Sequence, residues 1–155
     1  VILEIDRIDR KILNLLQNDA RLSYQQIAEK VSLSASPCLR RIKRLEAAGI
    51  IKNYVALLDP QKLGLGLLAY VSVKLEKRGA STLQGFRATV QAWPEVVACY
   101  AMTGEMDYLL RVHTSDLEHF TRFVMDRLMT LAGVMDVKSS FALERIKDTT
   151  ALPLD

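Results

Sequence analysis

Apolar residues near the start of the chain recur at intervals of three and four, the spacing that gathers side chains on one face of an α-helix. The first such series consists of Ile8, Ile12, Leu15 and Leu16. Asp6 stands just before it, where a carboxylate accepts hydrogen bonds from the free N–H groups of a helix start. We therefore predict an amphipathic first helix that begins after Asp6.

A second, shorter helix is predicted from a capping box. Ser23 and Gln26 have the spacing at which serine and glutamine side chains satisfy each other's backbone N–H groups. The apolar face of this helix is expected to consist of Ile27, Ala28 and Val31. The next three residues, Ser-Leu-Ser at 32–34, are predicted to form a tight turn with one buried leucine.

The third helix has one apolar and one basic side. Ser36 followed by Pro37 favours a helix start, because serine caps a helix and proline needs no N–H at the first helical position. Gly49 is expected to end the helix, since glycine adopts a left-handed conformation at low cost. The apolar stripe is predicted to be Leu39, Ile42 and Leu45, and the basic residues outside it are Arg40, Arg41, Lys43 and Arg44.

Taken alone, the third helix also fits a solvated surface helix. Its context favours DNA binding, because three short helices with a tight turn before the last one make a helix-turn-helix, although the turn lacks the glycine often found there. Five basic residues and one acidic residue lie between Ser36 and Lys52, and such an excess attracts phosphate. We therefore predict a nucleic-acid-binding module.

The pattern changes after the third helix to an alternation of period two, which predicts strands. A strand is expected over 50–59, followed by a glycine-containing linker at 61–66. Further strands are predicted at 70–75, 95–102, 107–113 and 134–146, and helices at 81–91 and 115–131. A second capping box, Ser115 to Glu118, starts the last helix. The order β-α-β-β-α-β predicts an antiparallel sheet with two helices on one face and an open face that needs a partner.

Composition limits the class of protein. The chain has 155 residues, 50% of them hydrophobic, and a formal net charge of +3, which allows one ordinary or two small domains with real cores. No apolar run approaches the roughly 20 residues of a membrane span. The first residues lack the basic leader and apolar core of a signal peptide. We expect a cytoplasmic protein that does not associate with membranes.

The cysteines and histidines point to no catalytic or metal site. Cys38 and Cys99 are far apart and belong to no Cys-x-x-Cys or Cys/His cluster, so reduced thiols are expected. His113 and His119 have no partner at metal-ligand spacing. Since no nucleophile–base couple or pair of carboxylates can be assembled either, we expect no metal, no cofactor and no enzymatic activity.

Several segments combine into a specific pattern. They are Asp6-x-x-Asp9-x-x-Ile12-Leu13 in the first helix, the third-helix run from Ser36 to Glu46, Gly49-Ile50-Ile51, and the segment Thr103-Gly-Glu-Met-Asp-Tyr-Leu-Leu110. Together they resemble the leucine-responsive/asparagine-responsive (Lrp/AsnC, feast/famine) transcription regulators of bacteria over nearly the whole chain. The resemblance implies a C-terminal domain that regulates by binding amino acids. It also implies homodimers that pair through their sheets and assemble into octamers or open helical arrays.

The predicted DNA contacts all lie at or near the third helix. Arginine can bond N7 and O6 of guanine together, so Arg40, Arg41 and Arg44 are expected in the groove of double-stranded DNA. Ser34, Ser36 and Lys43 are expected near phosphates, which set position without carrying sequence information, with Pro37 beside them. In a dimer, the two helices are expected about 34–36 Å apart, or a multiple of that distance.

The effector site is predicted from the resemblance, which places it where two dimers meet. The family pattern implies Gly104, Glu105, Asp107 and Tyr108, with Ser139, Ser140 and Phe141 of the last strand as lining. The chemistry suits an amino acid, because Asp107 can bind its ammonium and backbone N–H groups around Gly104 can bind its carboxylate. The alternative is an ordinary hairpin turn in which Gly104 supplies backbone freedom and Asp107 caps the loop.

The predicted fold class is α+β, with a three-helix winged helix-turn-helix domain followed by a ferredoxin-like βαββαβ domain. The domain limits are expected at 1–51 for DNA binding, 52–66 for a β-strand hinge and linker, 67–147 for effector binding and oligomerisation, and 148–155 for a tail. The predicted function is a sequence-specific transcription regulator whose oligomeric state or DNA affinity responds to an amino acid. The alternatives are an architectural DNA-binding protein without an effector and an enzyme with a fused DNA-binding module.

Overall fold

The computed structural model describes residues 4–76 and 79–154. The chain divides into two compact units, one formed by Val1–Leu57 with Lys147–Asp155 and the other by Leu58–Ile146. The helices are α1 (Arg7–Asn18), α2 (Tyr24–Lys30), α3 (Ala35–Ala47), α4 (Ala80–Gln91) and α5 (Leu117–Arg122). The strands are β1 (Leu67–Leu75), β2 (Val96–Ala101), β3 (Tyr108–Thr114) and β4 (Val134–Phe141).

The first two helices start where the sequence predicts, each through a reciprocal capping box. Asp6 Oδ1 accepts a hydrogen bond from the Asp9 N–H at 2.8 Å, and Asp9 Oδ2 accepts one from the Asp6 N–H at 3.2 Å. Ser23 Oγ accepts from the Gln26 N–H at 3.2 Å, and Gln26 Oε1 accepts from the Ser23 N–H at 2.8 Å. Side chains therefore satisfy backbone donors that a helix start leaves free.

Helix α3 begins earlier than the sequence predicts. Its cap is Ser34 rather than Ser36, because the Ser34 carbonyl already accepts a hydrogen bond from the Cys38 N–H at 3.3 Å. The Ser34 side chain forms no capping hydrogen bond. Pro37 then lies at the third helical position, where its missing N–H still costs nothing, since the first turn has no intrahelical acceptors. The preceding turn uses Ser32 at φ +58° in place of a glycine.

The core of the N-terminal unit lies between its three helices. Its buried apolar residues are Ile12, Leu16, Ile27, Ala28, Val31, Cys38, Ile42 and Leu45. Leu39 was predicted to belong to this core but is only half-buried, and Cys38 takes its place. The spacing explains the exchange, because positions 38, 42 and 45 stay on one helical face. Gly49, at φ +70°, ends α3 as predicted.

The prediction of a strand over 50–59 is wrong. No strand of the described chain pairs with this segment, and its side chains are largely exposed, with Val55 at 69% and Leu57 at 72%. Residues that favour strands form one only where a neighbouring strand satisfies their backbone groups. The segment is therefore an irregular connection.

The second unit is the predicted four-stranded sheet with helices on one face. The strand order is β2-β3-β1-β4, and all neighbours are antiparallel. Alternate residues of β1 and β3, such as Val71, Val73, Leu110 and Val112, pack with Phe86 of α4 in the core. The order of elements and this pairing confirm the predicted α+β class with a ferredoxin-like second domain.

The other face of the sheet is open, also as predicted. Tyr70 pairs with Arg111 and Tyr100 pairs with Leu109, and none of these four side chains points towards the helices. Tyr70 is 40% exposed and Tyr100 is 56% exposed. Arg111 Nε is buried there without a hydrogen-bond partner among the described residues. The face thus combines exposed aromatic rings with an unsatisfied donor.

The last helix differs from the prediction in two respects. Its cap is Asp116 instead of Ser115, and the Asp116 carboxylate accepts a hydrogen bond from the His119 N–H at 2.8 Å. A carboxylate is a stronger acceptor than a hydroxyl, which explains the choice. After α5 the helix widens into a π-helical turn over Phe123–Leu128. The Met129 N–H donates a hydrogen bond at 2.8 Å to the carbonyl of Val124, five residues earlier, and closes this turn.

Candidate DNA-binding and effector sites

Three of the predicted DNA-contacting residues share one side of α3, which we call the outer face. Ser36, Arg40 and Lys43 follow each other at spacings of four and three residues, which keeps them together on the helix. All three are exposed, and they lie opposite the buried stripe of α3. A hydroxyl, a guanidinium and an ammonium group on one exposed face supply the donors that base edges and phosphates accept.

Arg41 and Arg44 instead lie on the flank of α3 that packs against α1. Arg41 Nη1 donates to Asp9 Oδ1 at 2.9 Å and to Asp6 Oδ2 at 2.6 Å. Arg44 Nη2 donates to the other Asp9 oxygen, Oδ2. Asp9 is completely buried, whereas the side chains of Arg41 and Arg44 are 27% and 44% exposed. We call Asp6, Asp9, Arg41 and Arg44 the Asp9 cluster.

The position of Asp9 explains why the cluster forms. Asp9 shares the apolar face of α1 with Ile12 and Leu16, where an unpaired carboxylate would be costly. The hydrogen bond from the Asp9 N–H, followed by that from Arg41, lowers the pKa of Asp6 below its usual value. Hydrogen bonds to Asp6 and Asp9 raise the pKa of Arg41 in turn. Both shifts favour the charged forms of Asp6 and Arg41.

Lys43 also has a carboxylate partner. Its Nζ lies 3.1 Å from Glu46 Oε2, and the Tyr54 hydroxyl donates to Glu46 Oε1 at 2.9 Å. Burial, and then the bond to Glu46, raise the pKa of Tyr54 to about 12, so its hydroxyl remains a donor at neutral pH. The Lys43 side chain is 63% exposed, and such surface pairs are weak.

Arg40 differs from the other three cations of α3. Within residues 4–76 and 79–154 it is the one basic residue of this helix that has neither an ion pair nor a side-chain hydrogen bond. Its five N–H donors are therefore available to an external acceptor. Ser34 and Pro37 lie at the amino end of α3, where Ser34 is exposed and Pro37 is half-buried.

A shallow groove of about 340 Å³ runs beside the outer face of α3. Tyr24 and Gln25 line it from α2, and Ser36 and Leu39 line it from α3. The half-buried Leu39 thus contributes an apolar surface to the groove, next to Arg40 in sequence. Sequence reasoning missed this groove, although Tyr24 and Gln25 follow the capping serine directly and face solvent.

The predicted effector loop has the left-handed backbone that a glycine permits. Gly104 has φ +106°, and the loop is closed by a hydrogen bond from the Met102 N–H to the Asp107 carbonyl at 2.9 Å. Asp107 Oδ2 accepts a hydrogen bond from the Leu75 N–H at 2.8 Å, at the irregular end of β1. Gly104 therefore has the backbone freedom of a turn residue, and the Asp107 carboxylate bonds to the end of β1.

Tyr108 is a core residue of the second unit. It is 4% exposed, its ring lies 4.6 Å from that of Phe86, and its hydroxyl accepts a hydrogen bond from Arg87 Nε at 3.1 Å. A groove of about 430 Å³ between α4 and the edge strand β2 is lined by Tyr108, Arg87 and Cys99. Little of Tyr108 is therefore exposed to a ligand.

The three predicted lining residues of β4 do not share one face of the sheet. Ser139 and Phe141 are on the helix side, where Phe141 packs edge-on against Phe120, whereas Ser140 is on the open side opposite Tyr70. Strand periodicity is the reason, because successive side chains point in opposite directions. Strand β4 also ends at Phe141 rather than at 146, because its pairing with β1 stops where Phe141 lies opposite Ala69.

The effector loop contacts β4 at Lys138, near the middle of the strand. Glu105 Oε1 lies 3.3 Å from Lys138 Nζ, which joins the loop to the edge strand. Tyr108 and Val137 both pair with Val73, so Phe141, which pairs with Ala69, lies further along β1. One chain therefore brings Glu105 close to β4 but not Phe141 close to the loop.

The cysteines and histidines contribute no metal site among the described residues, which contain no group of three or more potential metal ligands. Cys38 is a free thiol buried in the N-terminal core, and Cys99 is a free exposed thiol on β2. His119 Nε2 lies 3.6 Å from Glu95, which Arg127 binds at 2.6 Å. No helix in the described part of the chain has the length and apolar character needed to cross a bilayer.

A helix-turn-helix unit linked to an antiparallel α+β unit defines a class of protein, the DNA-binding transcription regulators with a ligand-binding domain. Two family models match this chain in the same order. The model described as winged helix-turn-helix DNA-binding covers residues 5–52, and the Lrp/AsnC ligand binding domain covers residues 68–152. The chain belongs to the Lrp/AsnC family of transcription regulators.

Individual relatives agree over almost the whole chain. The DNA-binding transcriptional activator DecR of Escherichia coli (strain K12) is 46% identical over 151 residues, covering 97% of this chain and 99% of DecR. The leucine-responsive regulatory protein of the same strain is 36% identical over 149 residues, covering 96% and 91% of the two chains. These relatives are regulators, which supports the prediction that the chain is not an enzyme.

A similar solved structure is that of a transcriptional regulator from Neisseria meningitidis in complex with L-methionine. It is 47% identical to this chain, with a TM-score of 0.95 and coverage of 98% of both chains. A structure of an AsnC family regulator from Agrobacterium tumefaciens is 44% identical, with a TM-score of 0.92 and coverage of 96% of this chain and 97% of that one.

Proposed function

We propose that this chain is a sequence-specific transcription regulator whose DNA affinity or oligomeric state responds to a small amino acid. The observation that carries the proposal is the match of its second unit to the Lrp/AsnC ligand-binding domain, together with the L-methionine complex of the 47% identical regulator. A domain that binds an amino acid can alter DNA binding only if the ligand prefers one conformation or assembly of the protein.

The outer face of α3 is proposed to enter the major groove. Arg40 is its base reader, because its guanidinium is exposed and has no partner among the described residues. Ser36 and Lys43 flank it, and Ser34 and Pro37 lie at the amino end, towards the DNA backbone. The half-buried Leu39 supplies an apolar surface of the kind that contacts a thymine methyl group.

Arg41 and Arg44 act from the flank in this proposal. Both guanidinium groups are held by Asp9, so reading a base would require them to break ion pairs with a buried carboxylate. We therefore keep Arg41 and Arg44 in their ion pairs with Asp9 and leave the direct readout of bases to Arg40.

The effector is proposed to bind at the loop that contains Gly104, Glu105 and Asp107. Backbone N–H groups beside Gly104 would bind the carboxylate of an amino acid, and Asp107 its ammonium. The bond from Leu75 does not prevent this role, because an ionised carboxylate accepts several hydrogen bonds. Tyr108 would contribute its hydroxyl, whereas Ser139, Ser140 and Phe141 would line the site from two different sides of β4.

Dimers are proposed to form through the open face of the sheet and to assemble further into octamers or higher arrays. Tyr70 and Tyr100 expose large rings on that face, and Arg111 Nε has no acceptor among the described residues. A second sheet would cover the rings and bring acceptors to Arg111, which supports this mode of pairing.

Calorimetric titration with the common amino acids, starting with L-methionine, tests the effector. We expect saturable heat with at least one of them, and a change in operator affinity or in sedimentation under the same conditions. Gly104→Ala should weaken that binding, because φ +106° strains an L-residue, whereas Gly85→Ala in α4 should not. Absence of heat with every amino acid would remove the effector. Long footprints without sequence preference would then favour an architectural protein.

A further inference from the structure

The Asp9 cluster affects how much of the positive charge of α3 is available to DNA. Two of the four cations on this helix, Arg41 and Arg44, bind the two oxygens of one buried carboxylate. Arg41 also binds Asp6, so the cluster contains two positive and two negative charges. The flank of a helix that is basic in sequence is therefore electrically balanced in the folded domain.

The burial of Asp9 makes this balance persistent. Salt screens exposed charges strongly, whereas it weakens ion pairs with a buried group much less. Hydrogen bonds between guanidinium and carboxylate groups are also among the strong ones. A DNA phosphate that attracts Arg41 or Arg44 must therefore compete with Asp9, and separation would leave a buried charge without a partner.

Phosphate contacts and base contacts have different consequences for recognition. Contacts to phosphates supply affinity for any sequence, whereas contacts to base edges distinguish one sequence from another. A cation that is held away from phosphates reduces the affinity for random DNA without reducing direct base readout.

We infer that Asp9 is a specificity-determining positioning residue, which holds Arg41 and Arg44 against α1 and so limits binding to random DNA. This inference rests on the proposed binding of α3 to DNA. It predicts that loss of the Asp9 charge tightens binding to random DNA. A purely structural role for Asp9 predicts weaker binding to all DNA.

The full-length Asp9→Asn variant tests the inference, because asparagine has nearly the shape of aspartate without its charge. Its affinity is measured against salt concentration for a selected operator and for a random duplex of equal length. We expect binding to random DNA to tighten by about tenfold near 0.1 M salt. The slope of the logarithm of the binding constant against the logarithm of the salt concentration should become steeper by about one to two per chain. The ratio of operator to random affinity should fall.

Glu29→Gln is the matched control, since it makes the same charge change at an exposed carboxylate of α2. It should leave both affinities within about twofold of the wild type, because Glu29 pairs with no arginine among the described residues. The double variant Asp9→Asn/Arg44→Gln removes one of the released cations. It should return the affinity for random DNA most of the way to that of the wild type.

Circular dichroism shows whether Asp9→Asn is folded at the working temperature. An unchanged salt slope in the folded variant would overturn the inference, and so would weaker binding to both duplexes. If the variant is unfolded, Asp6→Asn takes its place, because Asp6 is exposed and binds only Arg41 of the two arginines. It should produce a smaller effect of the same sign, and no effect would overturn the inference. Failure of the wild type to prefer any sequence would instead contradict the proposed function.

Discussion

Arginine occurs on both the outer face of α3 and the flank that packs against α1, but its surroundings differ between the two. Arg40 and Arg41 are neighbours in sequence, but Arg40 has no carboxylate partner among the described residues while Arg41 binds both Asp6 and Asp9. Position around the helix decides between them, since consecutive residues lie about 100° apart. A basic run in a sequence therefore overstates the charge that a ligand meets, because partners from another helix can bind part of it.

The strongest test of the flank is removal of its buried charge. Asp9→Ala should lower the free energy of unfolding of the N-terminal unit by about 3 kcal/mol, because two arginines lose their common partner. Urea denaturation with hydrogen exchange on amides of α1 and α3 measures this. Glu29→Ala, an exposed control on α2, should change stability by less than about 0.5 kcal/mol. Equal losses in the two variants would show that the buried position of Asp9 has no special importance.

The outer face is tested by Arg40→Ala. Loss of a bidentate base contact should weaken operator binding by about 1–3 kcal/mol at fixed salt, with little change in stability. Arg10→Ala removes an exposed cation from α1 and serves as the control for charge alone. A filter-binding or anisotropy titration compares the two, and identical losses of operator affinity would mean that Arg40 acts only through its charge.

Loss of the cap at the start of α2 should lower stability without changing the preference for the operator over random DNA. Ser23→Ala removes one half of the capping box and should cost about 1 kcal/mol of stability. The ratio of operator to random affinity should stay constant, because neither the outer face nor the Asp9 cluster is altered. Ser115→Ala, at a serine that does not cap its helix, is the matched control. A changed ratio in Ser23→Ala would mean that α2 contributes to base discrimination.

Acid should weaken the ion pair between Asp6 and Arg41. The pKa of Asp6 is below its ordinary value of 3.8, so its contribution to stability is complete above that value and is lost as the pH falls through the lower value of the folded state. The difference in stability between the wild type and Asp6→Asn should therefore be constant near neutral pH and shrink below about pH 4. A difference that persists in acid would exclude the ion pair as its cause.

Much of the fold could be predicted from local patterns. Residues close together in sequence determine the cap at Asp6, the capping box at Ser23, the stop at Gly49 and the βαββαβ order. The exchange of Leu39 for Cys38 also follows from helical spacing, because Cys38 shares a face with Ile42 and Leu45. The absence of a strand at 50–59 depended on pairing partners, which a local pattern does not contain.

The candidate DNA site was predictable in composition but not in arrangement. The sequence identified the basic helix, yet Arg41 and Arg44 bind a carboxylate more than 30 positions earlier in the chain. One signal was present, because Asp9 interrupts the apolar face of α1 and a buried carboxylate requires cations. Which cations it binds depends on how α1 and α3 pack. The opposite directions of Ser139 and Ser140, in contrast, follow from strand periodicity alone.

Selection of binding sites from a random DNA library tests most directly whether Arg40, rather than its neighbour, reads the operator. The wild type, Arg40→Ala and Arg41→Ala are compared position by position at one salt concentration. We expect the wild type to select a two-fold symmetric site, Arg40→Ala to lose the preference at one base pair in each half-site, and Arg41→Ala to keep every preference. Loss of a base preference in Arg41→Ala, with all preferences retained in Arg40→Ala, would contradict the account.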